Sequence, residues 1–328
     1  MAKPRVYVGR KVPDRMLARL AEVCEVRAWM AEGRCPDDVL EREIGDIEGF
    51  LGNARWTAEL MDKAPRLRII ANISVGYDNT DVAAATQRGI VVTNTPGVLS
   101  DTTADTTFAL ILAVARRIVE ADRFVRAGKW TMLGGPASFF GRDVHHATLG
   151  IIGLGRIGAE VAHRARGFYM RVIYYDSVRR EDLERQYGYQ FVDKDTLLRE
   201  ADFVTLHTVL SPETHHMIGA AELAQMKPTA FLINAGRGQL VDERALIAAL
   251  REGRIAGAGL DVFEKEPADP DNPLFQMDNV VVLPHIGSAT QATREAMADL
   301  AFDNVIAFLQ GKPPLTPVNP EVLSRLKA

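Results

Sequence analysis

The chain has 328 residues, 47% hydrophobic and 25% charged, with a formal net charge of −4. That is a globular balance with no bulk positive field for nucleic acid. Cys24 and Cys35 are too few and too far apart for a disulfide framework or a zinc knuckle, and read as ordinary thiols in a reducing compartment. The opening MAKPRVYVGR has no apolar core of signal-peptide length, and no apolar run reaches the ~18 residues of a membrane span. A soluble, cytoplasmic protein is therefore expected, and its length exceeds the ~250–300 residues at which single cores stop growing.

From the start, short β-rich runs alternate with helical patterns: RVYVG, DRMLARLAEV, CEVRAW, DDVLEREI, GFLG, TAELMDKA, RLRIIANIS, DVAAATQRG and IVVTNT. Such alternation predicts a parallel sheet with helices on its faces, because parallel strands need crossovers. The strands are continuous apolar runs, as a sheet buried on both sides requires. TTADTTFALILAVARRIVEADRFVRAG then predicts one long spacer or interface helix, with Ser100 and Asp101 as candidate N-caps. Six strand candidates follow: ATLGIIGLG, RVIYYD, FVTLHT, AFLINA, AGAGLDVF and VVVLPH, the number of a full dinucleotide-binding sheet. A second long helix over 289–309 has no strand after it, and is expected to cross back to the first unit.

In LGIIGLGRIGAEVAHRARGFYMRVIYYD, Gly153, Gly155 and Gly158 form G-x-G-x-x-G between an apolar strand and a helix. The first glycine permits a tight turn, the second lets the backbone approach a pyrophosphate, and the third lets helix pack on strand. The N–H groups and the positive helix end would hold the phosphates. Asp176, ending the next strand, would accept the ribose hydroxyls and favour NAD over NADP; Arg179 and Arg180 beside it could instead accommodate a 2′-phosphate.

Arg237, between Gly236 and Gly238 after AFLINA, lies where parallel sheets bind ligands. Its planar fork suits the carboxylate and carbonyl of a 2-oxo acid. His285 follows an apolar strand, downstream of the acidic segment holding Asp261, Glu264 and Glu266. Of the other histidines, His207 also ends a strand and is the serious competitor, while His145-His146 and His215-His216 read as solvated loop residues. No H-x-x-x-H or cysteine pair supports a metal site.

GLGRIG, INAGRG, AGAGLDVFEKEP and LPHIGSA, in this order, resemble the D-isomer-specific 2-hydroxyacid dehydrogenases over nearly the whole chain. ANISVGYDNTD, VTNTPGVLSDTTAD and DRFVRAGKW resemble, more narrowly, the glyoxylate/hydroxypyruvate reductases of that family. The resemblance implies a Rossmann NAD-binding domain (100–287) inserted into a flavodoxin-like substrate domain (1–99 and 288–328), with the active site in the cleft. It implies Arg237 as carboxylate and carbonyl anchor, His285 as proton donor and Glu266 as the residue that orients and charges it. Substrate contacts are implied at Asn53, Val75, Gly76 and Arg237. Cofactor contacts are implied at Val75, Thr103, Leu154, Arg156, Ile157, Asp176, Thr208, Thr214, Ala235, Asp261, His285 and Gly287, with the three glycines, and the helix after residue 100 would form much of a homodimer interface.

Three segments depart from the family pattern. DVHHATLG carries His145 and His146 where a Gly-Lys pair is usual. GNARW puts Gly52 and Asn53 in place of a leucine–serine pair near the substrate. TMLGGPASFF, in a region that shapes the pocket, is shorter than its usual counterpart. The expected activity is NADH-dependent reduction of small 2-oxo acids, glyoxylate and hydroxypyruvate first. Alternatives are another D-2-hydroxyacid dehydrogenase of lactate or phosphoglycerate type, the latter less expected because the sequence ends at Ala328 without a regulatory extension, or a corepressor-like protein that senses NAD.

Overall fold

The computed structural model describes residues 3–133 and 139–325; part of TMLGGPASFF lies outside the described residues. Contacts divide the chain into two compact units, Met1–Leu99 with Thr290–Ala328, and Ser100–Ala289.

The first unit holds β1 (Arg5–Val8), β2 (Glu25–Ala28), β3 (Gly49–Gly52), β4 (Ile69–Asn72) and β5 (Val91–Thr93), all parallel, in the order β2-β1-β3-β4-β5. This is the doubly wound order of flavodoxin type. The inner strands β3 and β4 and the edge strand β5 are buried along their whole length, which is why they read as unbroken apolar runs. The helix Gln291–Leu309 packs on β3 and β4 through residues such as Met297, Ala301, Phe302 and Val305. Buried Asn319 then ties the tail to β5: its Oδ1 accepts from Val92 N–H (2.8 Å), and its Nδ2 donates to the Ile90 carbonyl (3.0 Å). The first unit is thus assembled from both parts of the sequence.

The second unit holds β6 (Thr148–Ile152), β7 (Arg171–Tyr175), β8 (Gln190–Phe191), β9 (Phe203–Leu206), β10 (Phe231–Asn234), β11 (Gly257–Leu260) and β12 (Val280–Val282), parallel in the order β12-β11-β10-β9-β6-β7-β8. The order reverses between β6 and β9, the switch point where doubly wound sheets bind dinucleotides. The helix Ser100–Ala115 packs across β10 and β11. Gly259 makes that approach possible, because a Cβ there would stand 3.0 Å from Leu110 Cβ.

Four expectations are corrected. The long helix is two, Ser100–Ala115 and Ile118–Arg126, parted at Arg117, whose φ of 53° lies in the left-handed region and ends α-helical progression. Ser100 and Asp101 lie within its first turn rather than capping it. The tail helix begins at Gln291, where Thr290 Oγ1 accepts from Thr293 N–H (3.2 Å). The second sheet has a seventh strand, β8, two residues long at the edge and too short to leave a sequence period. Cys24 and Cys35 are buried free thiols, and burial pushes Cys24 up to about 12. Among the described residues no helix is long and apolar enough to cross a membrane, and no group of His, Cys, Asp and Glu could hold a metal ion.

Candidate active site

At the end of β6 each glycine of the loop meets a different constraint. Gly153 has φ 94°, and a Cβ on it would stand 2.6 Å from Thr208 N, so the turn passes against the chain leaving β9. A Cβ on Gly158 would stand 2.1 Å from the Gly153 carbonyl oxygen; the helix Arg156–Ala165 sits on the turn only because that Cβ is missing. Gly155 differs. No protein atom lies within 4 Å of its would-be Cβ, and it is exposed at the helix N-terminus. That open face, over N–H groups at a positive helix end, fits a pyrophosphate.

Asp176, after β7, is held against this loop. Its Oδ2 accepts from Leu154 N–H (2.7 Å), and its Oδ1 from Val178 N–H (3.1 Å) and Ser177 Oγ (3.3 Å). Three of its roughly four acceptor positions are used internally, so about one remains for a ribose hydroxyl. Arg179 is clamped on Glu184 (2.9 and 2.8 Å), whose carboxyl its guanidinium holds down at about 2. Arg180 is bound to Asp182 and to the Leu154 carbonyl (3.1 Å). Both arginines already have acids of their own.

The expected catalytic groups of this unit come together at the carboxyl ends of β10, β11 and β12. Asn234 shapes the turn after β10: its Oδ1 accepts from Gly236 N–H (3.0 Å) and its Nδ2 donates to the Arg237 carbonyl (2.8 Å). Gly238 then lies flat on the next segment, where a Cβ would stand 1.9 Å from the Phe263 carbonyl carbon. Gln239 closes the join, its Nε2 donating to the Glu264 carbonyl (2.6 Å). On that segment Glu266 has both oxygens fixed: Oε1 accepts from Phe263 N–H (3.1 Å), and Oε2 lies 2.6 Å from His285 Nδ1. Burial opposes the Glu266 charge, but the His285 hydrogen bond and charge, then Phe263 N–H and Arg237, hold its carboxyl below the usual carboxylate range. The other ring nitrogen of His285 is left to face solvent or substrate.

His285 has φ 55°, an unfavourable conformation for a residue with a side chain. Asp261 holds it there. Its carbonyl accepts from His285 N–H (2.9 Å), and its carboxylate from Ile286 N–H and Gly287 N–H (both 2.7 Å). Asp261 is 1% exposed; burial pushes its carboxyl up, against the pull of those two bonds.

The remaining histidines sort by environment. The His207 imidazole is enclosed and bonded to Thr205 Oγ1 (2.9 Å), and burial pushes it down to about 3, so it stays neutral. His146 stacks on Tyr169 and stays exposed, as does His145. His216 stays exposed in its loop, as expected, and its Nε2 meets Glu264 Oε1. The acidic segment therefore supplies carboxylates to two histidines rather than to His285 alone. Gln239, which fastens the Arg237 turn to the Glu266 segment, and the pairing of Glu264 with His216 were invisible in the sequence because these contacts span 25 and 48 positions. Thr214 turns its hydroxyl inward, donating to the Val209 carbonyl (2.7 Å). Thr208 and Ala235 are partly buried at strand exits, and Thr103 lies under Gly287, 3.4 Å from its would-be Cβ. A cavity of about 370 Å³ in this unit lies at the opposite, amino ends of β10–β12, lined by Arg117, Phe140, Phe231 and Asp278, away from these groups.

In the first unit the exits of β3 and β4 are locked together. Asn79 Nδ2 donates to the Ala54 carbonyl (2.6 Å), and Trp56 N–H to the Asn79 carbonyl (2.8 Å). Val75 gives its carbonyl to Asn94 Nδ2 (2.8 Å) and Gly76 gives its carbonyl to Ser74 Oγ (2.6 Å). Their N–H groups donate to nothing among the described residues.

Residues 108–287 match the family model for the D-isomer specific 2-hydroxyacid dehydrogenase, NAD binding domain. A glyoxylate reductase of Korarchaeum cryptofilum is 51% identical, over 98% of this chain and 97% of its own. The chain belongs to the D-isomer-specific 2-hydroxyacid dehydrogenases.

As a member of that family it is an oxidoreductase of the CH–OH class with a nicotinamide-binding domain. A glyoxylate reductase of Thermococcus litoralis is 50% identical over 98% of both chains. Among solved dehydrogenase structures, an NADPH-dependent glyoxylate/hydroxypyruvate reductase from Sinorhizobium meliloti, in complex with NADP and malonate, superimposes with a TM-score of 0.87. It is 37% identical, with 97% of each chain covered. A Thermus thermophilus protein superimposes with a TM-score of 0.88 at 45% identity, covering 96% of this chain and 99% of its own.

Proposed function

We propose that the protein is a cytoplasmic reductase of glyoxylate and hydroxypyruvate that prefers NADH. The observation that carries this reading is the Glu266–His285 pair at 2.6 Å, with the Arg237 charge acting on the same carboxylate. Glyoxylate reductases at about half identity over the whole chain support the substrate class, and free, buried Cys24 and Cys35 fit a reducing compartment. The open face at Gly155 and the N–H groups that follow it would hold the dinucleotide phosphates, and Asp176 the adenosine ribose. The bound nicotinamide supplies the hydride. The protein's part is to hold and protonate the acceptor. Arg237 and the Val75 and Gly76 N–H groups fix the 2-oxo acid carboxylate, and the arginine also polarises the carbonyl. His285 gives its proton to the oxygen as charge develops there, and Glu266 keeps the ring oriented and favours its charged form until then.

The NADH preference rests on Asp176, whose carboxylate would lie against a 2′-phosphate, and on Arg179 and Arg180, which Glu184 and Asp182 already occupy. Assembly as a homodimer is supported by the exposed apolar side chains after the helix break: Ile118, Val125, Trp130, Met132, Leu133 and Phe140. The test is steady-state reduction of glyoxylate and hydroxypyruvate with NADH and NADPH, by wild type and Arg237→Ala. Wild type should turn over both acids with NADH the better donor. Arg237→Ala should lose on the order of 10²-fold or more in kcat/KM, as expected for a charge-assisted bidentate contact. Near-normal kcat/KM in Arg237→Ala would remove that residue from the site.

A further inference from the structure

Arg10, just past β1, has no part in the reading above. It is half-buried, and among the described residues no carboxylate lies within ion-pairing distance of it. Its contact is Asn53, just past the neighbouring strand β3, with Nη1 3.4 Å from Asn53 Oδ1. Two glycines allow that contact. A Cβ on Gly9 would stand 2.8 Å from the Phe50 ring, and one on Gly52, whose φ is 149°, would stand 3.4 Å from Gly9 N and Cα. The exits of β1 and β3 therefore run side by side, and the next residue of each carries the polar group. Burial first, and then the nearby Arg294 cation, work against the charge on Arg10. A cation kept in such a place without an acid is expensive unless it organises something polar.

What it organises is the Asn53 amide. A guanidinium has donors only, so Asn53 must turn its carbonyl oxygen to Arg10, which leaves the Nδ2 hydrogens as donors at the rim. The next strand across is β4, and beyond its end Ile73 N–H donates to the Gly52 carbonyl (3.3 Å) and Asn79 Nδ2 to the Ala54 carbonyl (2.6 Å), so the stretch that carries the Val75 and Gly76 N–H groups runs beside Asn53. We propose that Arg10 and Asn53 form a subsite for the 3-hydroxyl of a three-carbon 2-oxo acid, with Asn53 donating to the hydroxyl oxygen and Arg10 fixing the amide, so that the protein selects hydroxypyruvate over pyruvate. This rests on the reading that the carboxylate is held by Val75 and Gly76. A three-carbon acid held there by its carboxylate would turn its C3 substituent toward Asn53. Asn53 touches the substrate; Arg10 is a positioning residue acting through it.

The test is kcat/KM for hydroxypyruvate, pyruvate and glyoxylate with NADH in wild type, Asn53→Leu, Asn53→Ala, Arg10→Met and Arg10→Lys, with thermal melting of each variant. Wild type should favour hydroxypyruvate over pyruvate. Asn53→Leu and Asn53→Ala should lower that ratio by about tenfold, the net worth of one such hydrogen bond. Arg10→Met should lower it through the KM for hydroxypyruvate, and Arg10→Lys should recover part, because an ammonium can still bind the amide oxygen. A merely structural role would weaken all three acids together and leave the ratio alone. An unchanged ratio in Asn53→Ala and in Arg10→Lys or Arg10→Met, with wild type active on glyoxylate, would overturn the subsite and leave the proposed function standing. A wild type inactive on all three acids would overturn both.

Discussion

His285 is placed by a neighbour whose role the sequence hides. Asp261 reads as one acid among three in GLDVFEKEP, yet its carboxylate is spent on Ile286 and Gly287 N–H. It acts on the His285 ring only through space, whereas Glu266 bonds it directly. Glu266→Gln keeps the shape and removes the charge beside His285 Nδ1, so kcat/KM for reduction should fall on the order of 10²-fold while NADH binding holds. A kcat/KM equal to wild type would mean that the Glu266 charge is not needed. The two glycines at the phosphate loop give a second residue-scale contrast. Gly155→Ala points a methyl into open space, so the melting temperature should hold while NADH binding weakens. Gly158→Ala drives one into the Gly153 carbonyl, so melting itself should fall, by several degrees for each ~1 kcal/mol. Equal effects of the two on melting would contradict this division of labour.

Elements were legible wherever periodicity carried them. RVYVG, GFLG, RLRIIANIS and IVVTNT each contain the strand expected of them, because a buried parallel strand must be apolar throughout, and CEVRAW contains the edge strand β2, which is only partly buried. The break at Arg117 was not legible, since ARRIVEAD keeps helical propensity and only the left-handed backbone divides it. Nor was β8, two residues on the sheet edge. The site was legible where glycines punctuate strand ends, and opaque where contacts join distant segments, as with Gln239 to Glu264 or Arg10 to Asn53. Asn319 is another such contact. Its amide replaces a missing strand partner for Val92 on β5 and for Ile90 just before it, and Asn319 is 1% exposed. Asn319→Ala should destabilise the first unit by on the order of 2–4 kcal/mol, because it leaves buried backbone groups unpaired. Denaturant unfolding checks this, and a change under ~0.5 kcal/mol would mean that water replaces the amide without loss.

Across the whole molecule, each sheet gathers its polar groups at the carboxyl ends of its strands. Asn53, Val75 and Gly76 stand there in the five-stranded unit, and Gly155, Asp176, Arg237 and His285 in the seven-stranded unit. That is the general habit of open parallel sheets. On the proposed reading, substrate choice rests on Asn53, Val75 and Gly76 of the first unit and donor choice on Asp176 past β7. Asp176→Ala should accordingly weaken NADH and improve NADPH; a wild type that used NADPH at least as efficiently as NADH would remove Asp176 as the selector. The central claim is that His285, charged by Glu266, protonates a 2-oxo acid during reduction. The most direct measurement is loss of reduced-nicotinamide absorbance when glyoxylate is added to wild type and to His285→Ala, each first shown to bind NADH. Wild type should consume one NADH per glycolate formed, and His285→Ala should be slower by about 10²–10⁴-fold with NADH binding retained. A wild type that consumes neither NADH nor NADPH, or a His285→Ala variant at the wild-type rate, would contradict the account.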